Sequence, residues 1–195
     1  MSRLFAGAVL AVLIGMQQVA RALPITYTAV LSGPAESPAN TSPGTGLAIV
    51  IFDADIMQVE VSFFGLLSPT IASHIHAATA VPGSGIAGVA TAAPTFTAFP
   101  LGVTAGSYEH TFDMTLASSY NPTFITANGG TPASAKAALI AASAKGEAYL
   151  NIHTSAFPAG EIRGFLAAVP EPATLALLGI GLAGLGFGRR KRAAI

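Results

Sequence analysis

The sequence contains no cysteine. No disulfide can staple the fold and no thiol can serve as nucleophile or metal ligand, so stability has to come from an apolar core. Charge is scarce as well: Asp, Glu, Lys and Arg make up 9% of the 195 residues, against roughly 25% in average soluble domains. Cations are scarcest in the middle of the chain, where Leu23 to Ala168 carries only Lys136, Lys145 and Arg163 against eight carboxylates, a formal net charge of −5. A segment with so few, scattered cations has no basic stripe for phosphates, which argues against nucleic acid as a partner. Enzyme signatures are missing too: there is no Gly-x-Ser-x-Gly elbow, no phosphate-cradling glycine loop and no His-Glu-x-x-His helix. No catalytic residue is assigned, and the chain reads as non-enzymatic.

What is present begins with two apolar runs at the ends, each flanked by arginine. Arg3 precedes the uncharged stretch Leu4 to Met16, and Ala20-Arg21-Ala22 supplies the small-x-small pattern that signal peptidase accepts. Residues 1–22 are therefore expected to be a signal peptide cleaved after Ala22, since thirteen apolar residues fall short of the roughly 20 that span a bilayer. At the other end Ala173 to Gly188 is uncharged and is followed at once by Arg189, Arg190, Lys191 and Arg192. As a helix this run would be about 24 Å long, and a basic cluster directly after it stays cytoplasmic. Both ends give one topology, an exported domain with a C-terminal helix held in the inner membrane before processing.

Between the ends the period is mostly two. Ile25, Tyr27, Ala29 and Leu31 alternate with Thr26, Thr28 and Val30; Met57, Val59, Val61 and Phe63 with Gln58, Glu60 and Ser62; and Tyr108, His110, Phe112, Met114 and Leu116 with polar residues. Gly46 to Phe52 is a more continuous apolar run, and Asp53-Ala54-Asp55 reads as the hairpin turn that follows it. Further strands are expected over Ile71–Ala77, Ile86–Ala92, Glu147–Thr154 and Glu161–Ala168. One short helix is expected, capped by Thr131, opened by Pro132, rich in alanine to Ala144 and stopped at Gly146. The expected fold is all-β, an antiparallel sandwich or Greek-key barrel with one short helix, over residues 23–168.

Val169-Pro170-Glu171-Pro172, a Gly- and Leu-rich apolar run and Arg189-Arg190-Lys191-Arg192 together resemble the tripartite PEP-CTERM sorting signal, which would make residues 169–195 a sorting tail. The resemblance implies processing near Pro170 to Pro172 by an exosortase-type enzyme, after signal peptidase has acted at the other end. The alternative is a plain single-span anchor. Physically, the two prolines interrupt both helix and sheet and present an extended peptide outside the membrane.

Three further segments carry a second resemblance: Leu31-Ser32-Gly33-Pro34-Ala35-Glu36 with Pro38, His74-Ile75-His76, and Tyr149-Leu150-Asn151-Ile152-His153-Thr154 followed by Gly160-Glu161-Ile162-Arg163-Gly164. In this order and spacing they resemble the CHRD domain, a module common in exported bacterial proteins, across nearly all of Leu23 to Ala168. On a strand His74 and His76 point to one face about 7 Å apart, and His153 on a neighbouring strand could supply a third nitrogen to a copper or zinc ion. The competing reading needs no cofactor: the histidines join Asn151, Glu161 and Arg163 in a buried polar network, with Glu161 or another acceptor orienting an imidazole and Arg163 paired to a carboxylate. His110, in phase with Tyr108 and Phe112, reads as a core-edge residue. The whole chain is expected to be a cell-envelope or extracellular protein with a binding or structural role toward an unidentified partner; the alternative is a metal-binding, redox-type protein.

Overall fold

The computed structural model of the protein describes residues 23–170. The signal segment with Ala20 and Ala22, and the tail from Glu171 onward with Pro172, Arg189, Arg190, Lys191 and Arg192, lie outside the described residues. Among the described residues no helix is long and apolar enough to cross a membrane; the expected membrane run, Ala173 to Gly188, is outside them.

Alternation of apolar and polar side chains builds three long strands, β1 (Ile25–Ser32), β2 (Thr45–Asp53) and β3 (Ile56–Phe64). Each turns one row inward: Tyr27, Ala29 and Leu31; Ala48, Val50 and Phe52; Met57, Val59, Val61 and Phe63 are all buried. β2 and β3 are joined through Ala54 and Asp55 as the turn residues predict, with Asp53 paired to Ile56 and Ala54 at φ 52°. β4 (Thr70–His76), β5 (Gly106–Asp113), β6 (Tyr149–Thr154), β7 (Ile162–Phe165) and β8 (Ala167–Ala168) complete one antiparallel sheet of order β4-β6-β7-β1-β2-β3-β5, with β8 also on β1. The sheet curls into a half-barrel around its apolar face. Of the two all-β architectures expected, the two-sheet sandwich is not the one formed, because β1 pairs with strands on both sides and makes the sheet continuous.

The sheet's two edge strands, β4 and β5, do not pair with each other. Residues 77–105 bridge them instead. Within this connection Phe96 and Phe99 are buried; Phe96 stacks on Tyr108 of β5 at 5.7 Å, the Tyr108 hydroxyl donates to the Thr97 carbonyl at 3.0 Å, and Phe96 N–H donates to Ser73 O of β4. Part of this connection, Ile86–Ala92, was expected to be a strand and is not. It runs along the outer edge of β4 with bonds from Ala77 N to Gly88 O and from Ala90 N to Ile75 O, yet Gly83, Gly85 and Gly88, with Ile86 exposed, give it neither a regular backbone nor a second apolar row to bury.

The expected helix is present as α2 (Pro132–Ala144), with Thr131 and Ser134 forming a reciprocal capping box. It buries Ala135, Leu139, Ala142 and Ser143 on one stripe and reaches the β2–β3 turn, where Lys136 pairs with Asp55. A shorter helix, α1 (Pro122–Ala127), precedes it with Asn121 as its cap. The expected strand Tyr108–Leu116 ends at Asp113, where the Asp113 side chain turns to accept from Thr115, and Glu161–Ala168 is interrupted at Leu166, whose N–H bonds Ala148 O instead.

Candidate metal centre

Strand register brings the polar residues of distant segments onto one patch. Across β4, β6 and β7 the pairs run His74–Asn151–Arg163 and His76–Tyr149–Phe165, with His153 opposite Ala72. Because side chains alternate, His74, His76, Tyr149, Asn151, His153 and Arg163 share one face, while Ile75, Leu150, Ile152 and Ile162 turn the other way into the core with no exposed surface. The polar face lies outside the half-barrel and is nonetheless closed over: His74, His76 and His153 are 6%, 8% and 9% exposed. Carbonyls from residues 33–40, 77–105 and 155–161 form the contacts of this roof.

Each of the three rings places one nitrogen within 4.8 Å of the other two. Their outward bonds all go to backbone carbonyls. His74 Nε2 donates to Pro94 O, His76 Nδ1 to Ala87 O at 2.9 Å, and His153 Nδ1 to Pro158 O at 3.0 Å. A carbonyl only accepts, so each of these nitrogens carries the proton of its ring. Burial holds His74 below the usual imidazole range and pushes His76 and His153 down to about 4, so near neutral pH each ring has one proton only. The remaining nitrogens, His74 Nδ1, His76 Nε2 and His153 Nε2, are then bare lone pairs. His74 Nδ1 and His153 Nε2 face each other at 3.3 Å, and His76 Nε2 is fully buried without a partner.

The flanking polar residues separate into two groups. Arg163 Nε donates to Ala35 O and Nη1 to Gly85 O at 2.8 Å, with Glu36 Oε2 3.8 Å away. Its guanidinium lies 4.7 Å over the Tyr149 ring, and that ring stacks on His76 at 4.8 Å with 2° between planes. Asn151 Nδ2 donates to Glu36 Oε2 at 3.4 Å. Burial raises Glu36 to about 7, a shift that Arg163 and hydrogen bonds from Ser37 and Asn151 only partly oppose. Glu161 belongs elsewhere. It is wholly buried and accepts from Ser42 Oγ, the Leu67 N–H and Thr154 Oγ1, each at 2.6 Å, so it orients loops at the end of β6 rather than an imidazole.

The structure thus brings together His74, His76, His153, Asn151 and Arg163 from the sequence-derived set, and sets Glu161 apart just before β7, bonded to Ser42, Leu67 and Thr154. His110 lies on β5 between Tyr108 and Phe112, 4.6 Å from the latter ring, remote from this patch in strand order. Pro170 is exposed where the described chain ends. Sequence reasoning gave no role to Tyr149, Glu36, Ser42 or Thr154, nor to the carbonyls of Ala87, Pro94 and Pro158. Of these, Glu36, Tyr149 and Thr154 stand inside the motifs that carry the family resemblance; Ser42 and the carbonyls have no such signal.

Two family models match the chain. The family model described as the CHRD domain matches residues 27–166, which contain every residue of the patch. The model of the PEP-CTERM protein-sorting motif matches residues 168–192. No curated protein and no solved structure matches the chain.

Proposed function

The chain belongs to the CHRD domain family and ends in a PEP-CTERM protein-sorting motif, and from that premise we propose that its β domain is a non-enzymatic binding module whose ligand is a transition-metal ion held by His74, His76 and His153. The protein is an exosortase-sorted extracellular protein of the cell envelope; the metal reading concerns what the sorted domain carries. Its final attachment or release follows processing of the tail, whose apolar run serves as the membrane hold until then.

The observation that carries the proposal is the 3.3 Å separation of His74 Nδ1 and His153 Nε2 on rings whose protons are committed to carbonyls. Two lone pairs facing each other in a buried site repel unless a cation lies between them. A purely structural triad would use one ring N–H to bond the next ring, but that would turn His74 Nε2 into an acceptor aimed at Pro94 O. Metal–nitrogen bonds of about 2.0–2.1 Å put ligand nitrogens roughly 3.3–3.5 Å apart. One pair already has that spacing, and closing the rest within 4.8 Å needs only small ring movements. The three carbonyls fix tautomer and ring orientation, as partners behind metal-bound histidines do.

The non-enzymatic part rests on access. His74, His76 and His153 are each less than 10% exposed, so the triad is enclosed rather than presented to a substrate. The test is elemental analysis of the exported protein purified without a histidine tag, beside a His74→Ala, His76→Ala double variant. Near-stoichiometric copper or zinc that vanishes in the variant is expected. An absence of metal after reconstitution of the folded protein would overturn the reading.

A further inference from the structure

The charge around the triad selects among metals. All three donors are neutral imidazoles, their protons are held by carbonyls rather than carboxylates, and no carboxylate or thiolate belongs to the cluster among the described residues. The site therefore brings no negative charge to the ion. The charged group stacked toward it is positive: Arg163 lies over Tyr149, which lies flat on His76. Glu36 is the nearest counter-charge, and it sits beside Arg163 at 3.8 Å, bonded by Asn151, not among the rings.

Two scaling laws then discriminate by charge. The cost of taking an ion out of water grows with the square of its charge, and repulsion from a fixed cation grows in proportion to it. A buried, neutral, cation-flanked nitrogen site thus penalises a divalent ion far more than a monovalent one. Imidazole suits zinc, copper, iron and nickel, and of these copper alone has a readily accessible monovalent state. Copper(I) is also satisfied by three ligands, whereas Zn(II) demands a fourth, and the rings are less than 10% exposed.

Resting on the metal reading above, we infer that the His74–His76–His153 site is selective for copper(I), and that Arg163, acting through the Tyr149 ring, is a specificity-determining residue that disfavours divalent ions. When ionised, Glu36 works in the opposite sense by neutralising Arg163. The stack thus gives two substitutions with opposite signs: Arg163→Gln removes the repelling charge while keeping donors for Ala35 and Gly85, and Glu36→Gln leaves the guanidinium uncompensated.

The test uses the exported protein without a tag, under anaerobic conditions with ascorbate. Copper(I) affinity is measured by competition with bicinchoninate and Zn(II) affinity by competition with a pyridylazo-resorcinol dye. One copper(I) per chain is expected, bound at least 100-fold more tightly than Zn(II). Arg163→Gln should narrow that ratio at least tenfold, mainly by gaining zinc affinity, and Glu36→Gln should widen it. Zinc binding as tight as copper(I) would overturn the selectivity while leaving a metal site in place. No binding of either ion would overturn both readings. If Arg163→Gln fails to fold, the Glu36→Gln arm decides: a ratio that is unchanged or narrower overturns the role of the stack.

Discussion

His74 Nδ1 and His153 Nε2 lie 3.3 Å apart across the β4–β6 pairing, each on a ring whose other nitrogen is bonded to a backbone carbonyl. With those two protons committed to carbonyls, the facing nitrogens are both acceptors, and the proposed metal site rests on this meeting.

Metal should therefore stabilise the domain, and only through the triad. At metal concentrations about 1,000 times Kd the gain is about 4 kcal/mol, which for a domain of this size raises Tm by roughly 10 °C. Thermal melts followed by circular dichroism, with copper(I) and with chelator, measure the difference. In His153→Ala the difference should disappear, while the chelated form melts near the chelated native protein because loss of the ring also relieves the lone-pair conflict. A metal-induced rise that survives in His153→Ala would place the ion elsewhere.

Without metal, stability should depend on pH with a definite sign. His76 and His153 titrate at about 4 in the fold, pushed down by burial, against 6.5 when unfolded. The unfolded chain binds protons first, so their stabilising contribution is complete above pH 6.5 and is lost as pH falls toward 4. Each pKa unit is worth roughly 1.4 kcal/mol per group, and burial moves His74 in the same direction. Glu36 opposes them: with its folded value raised to about 7 from 4.5, it costs nothing below pH 4.5 and progressively more as pH rises through 7. Urea unfolding of the chelated protein at pH 4.5, 5.5 and 6.5 should show stability rising with pH, and rising more steeply in Glu36→Gln. A flat profile in both proteins would contradict the buried, neutral state of the rings.

Gly160 is a tight point of the roof. Its φ of 133° is strained for any other residue, and a Cβ there would lie 2.5 Å from Asn151 Nδ2 and 2.7 Å from Glu36 Oε1. Gly160→Ala should cost about 2 kcal/mol or more. It should also displace the neighbouring Pro158 carbonyl that holds His153, so metal affinity should fall along with stability. Denaturant titration and chelator competition on the same preparation read the two losses; unchanged affinity would mean that Pro158 does not fix the ring.

Much of this was legible in the sequence for reasons that differ by element. β1 and β3 announce themselves because half-burial forces strict alternation, and α2 because Thr131, Pro132 and Gly146 are local signals that act without tertiary help. Asn121-Pro122 carries the same kind of signal for α1 but opens only six residues, too few for a helical period to emerge. Ile86–Ala92 misleads because apolar residues beside an edge strand can be held by isolated bridges without becoming a strand. The shared face of His74 and His76 is readable from strand period alone, whereas His153 joins them only through the β4–β6 register. Their tautomers are not readable, since Ala87, Pro94 and Pro158 act through backbone atoms that every residue shares. Likewise the fate of Glu161 turned on Ser42 and Leu67, more than 90 residues away, which no local pattern can supply.

The exit of the chain from the sheet bears on sorting. β8 pairs Ala167 and Ala168 with Thr28 and Tyr27 of β1, Val169 N–H donates to Thr26 O at 2.8 Å, and Pro170, which has no N–H to continue the ladder, follows immediately. The Pro170-Glu171-Pro172 motif therefore begins where the last sheet bond ends, with no linker between domain and signal. An exosortase-type enzyme that cuts at this motif would work against the folded β1–β8 edge. Deleting Pro170 to Pro172 should leave a larger, membrane-retained form on an immunoblot of fractionated cells. Inserting a short Gly/Ser spacer after Val169 should preserve processing and, by relieving crowding at the edge, speed the conversion in a pulse-chase. A deletion variant processed like the native chain would show that the signal lies elsewhere in the tail. A spacer that blocks conversion would show instead that the enzyme reads the edge of the domain together with the motif.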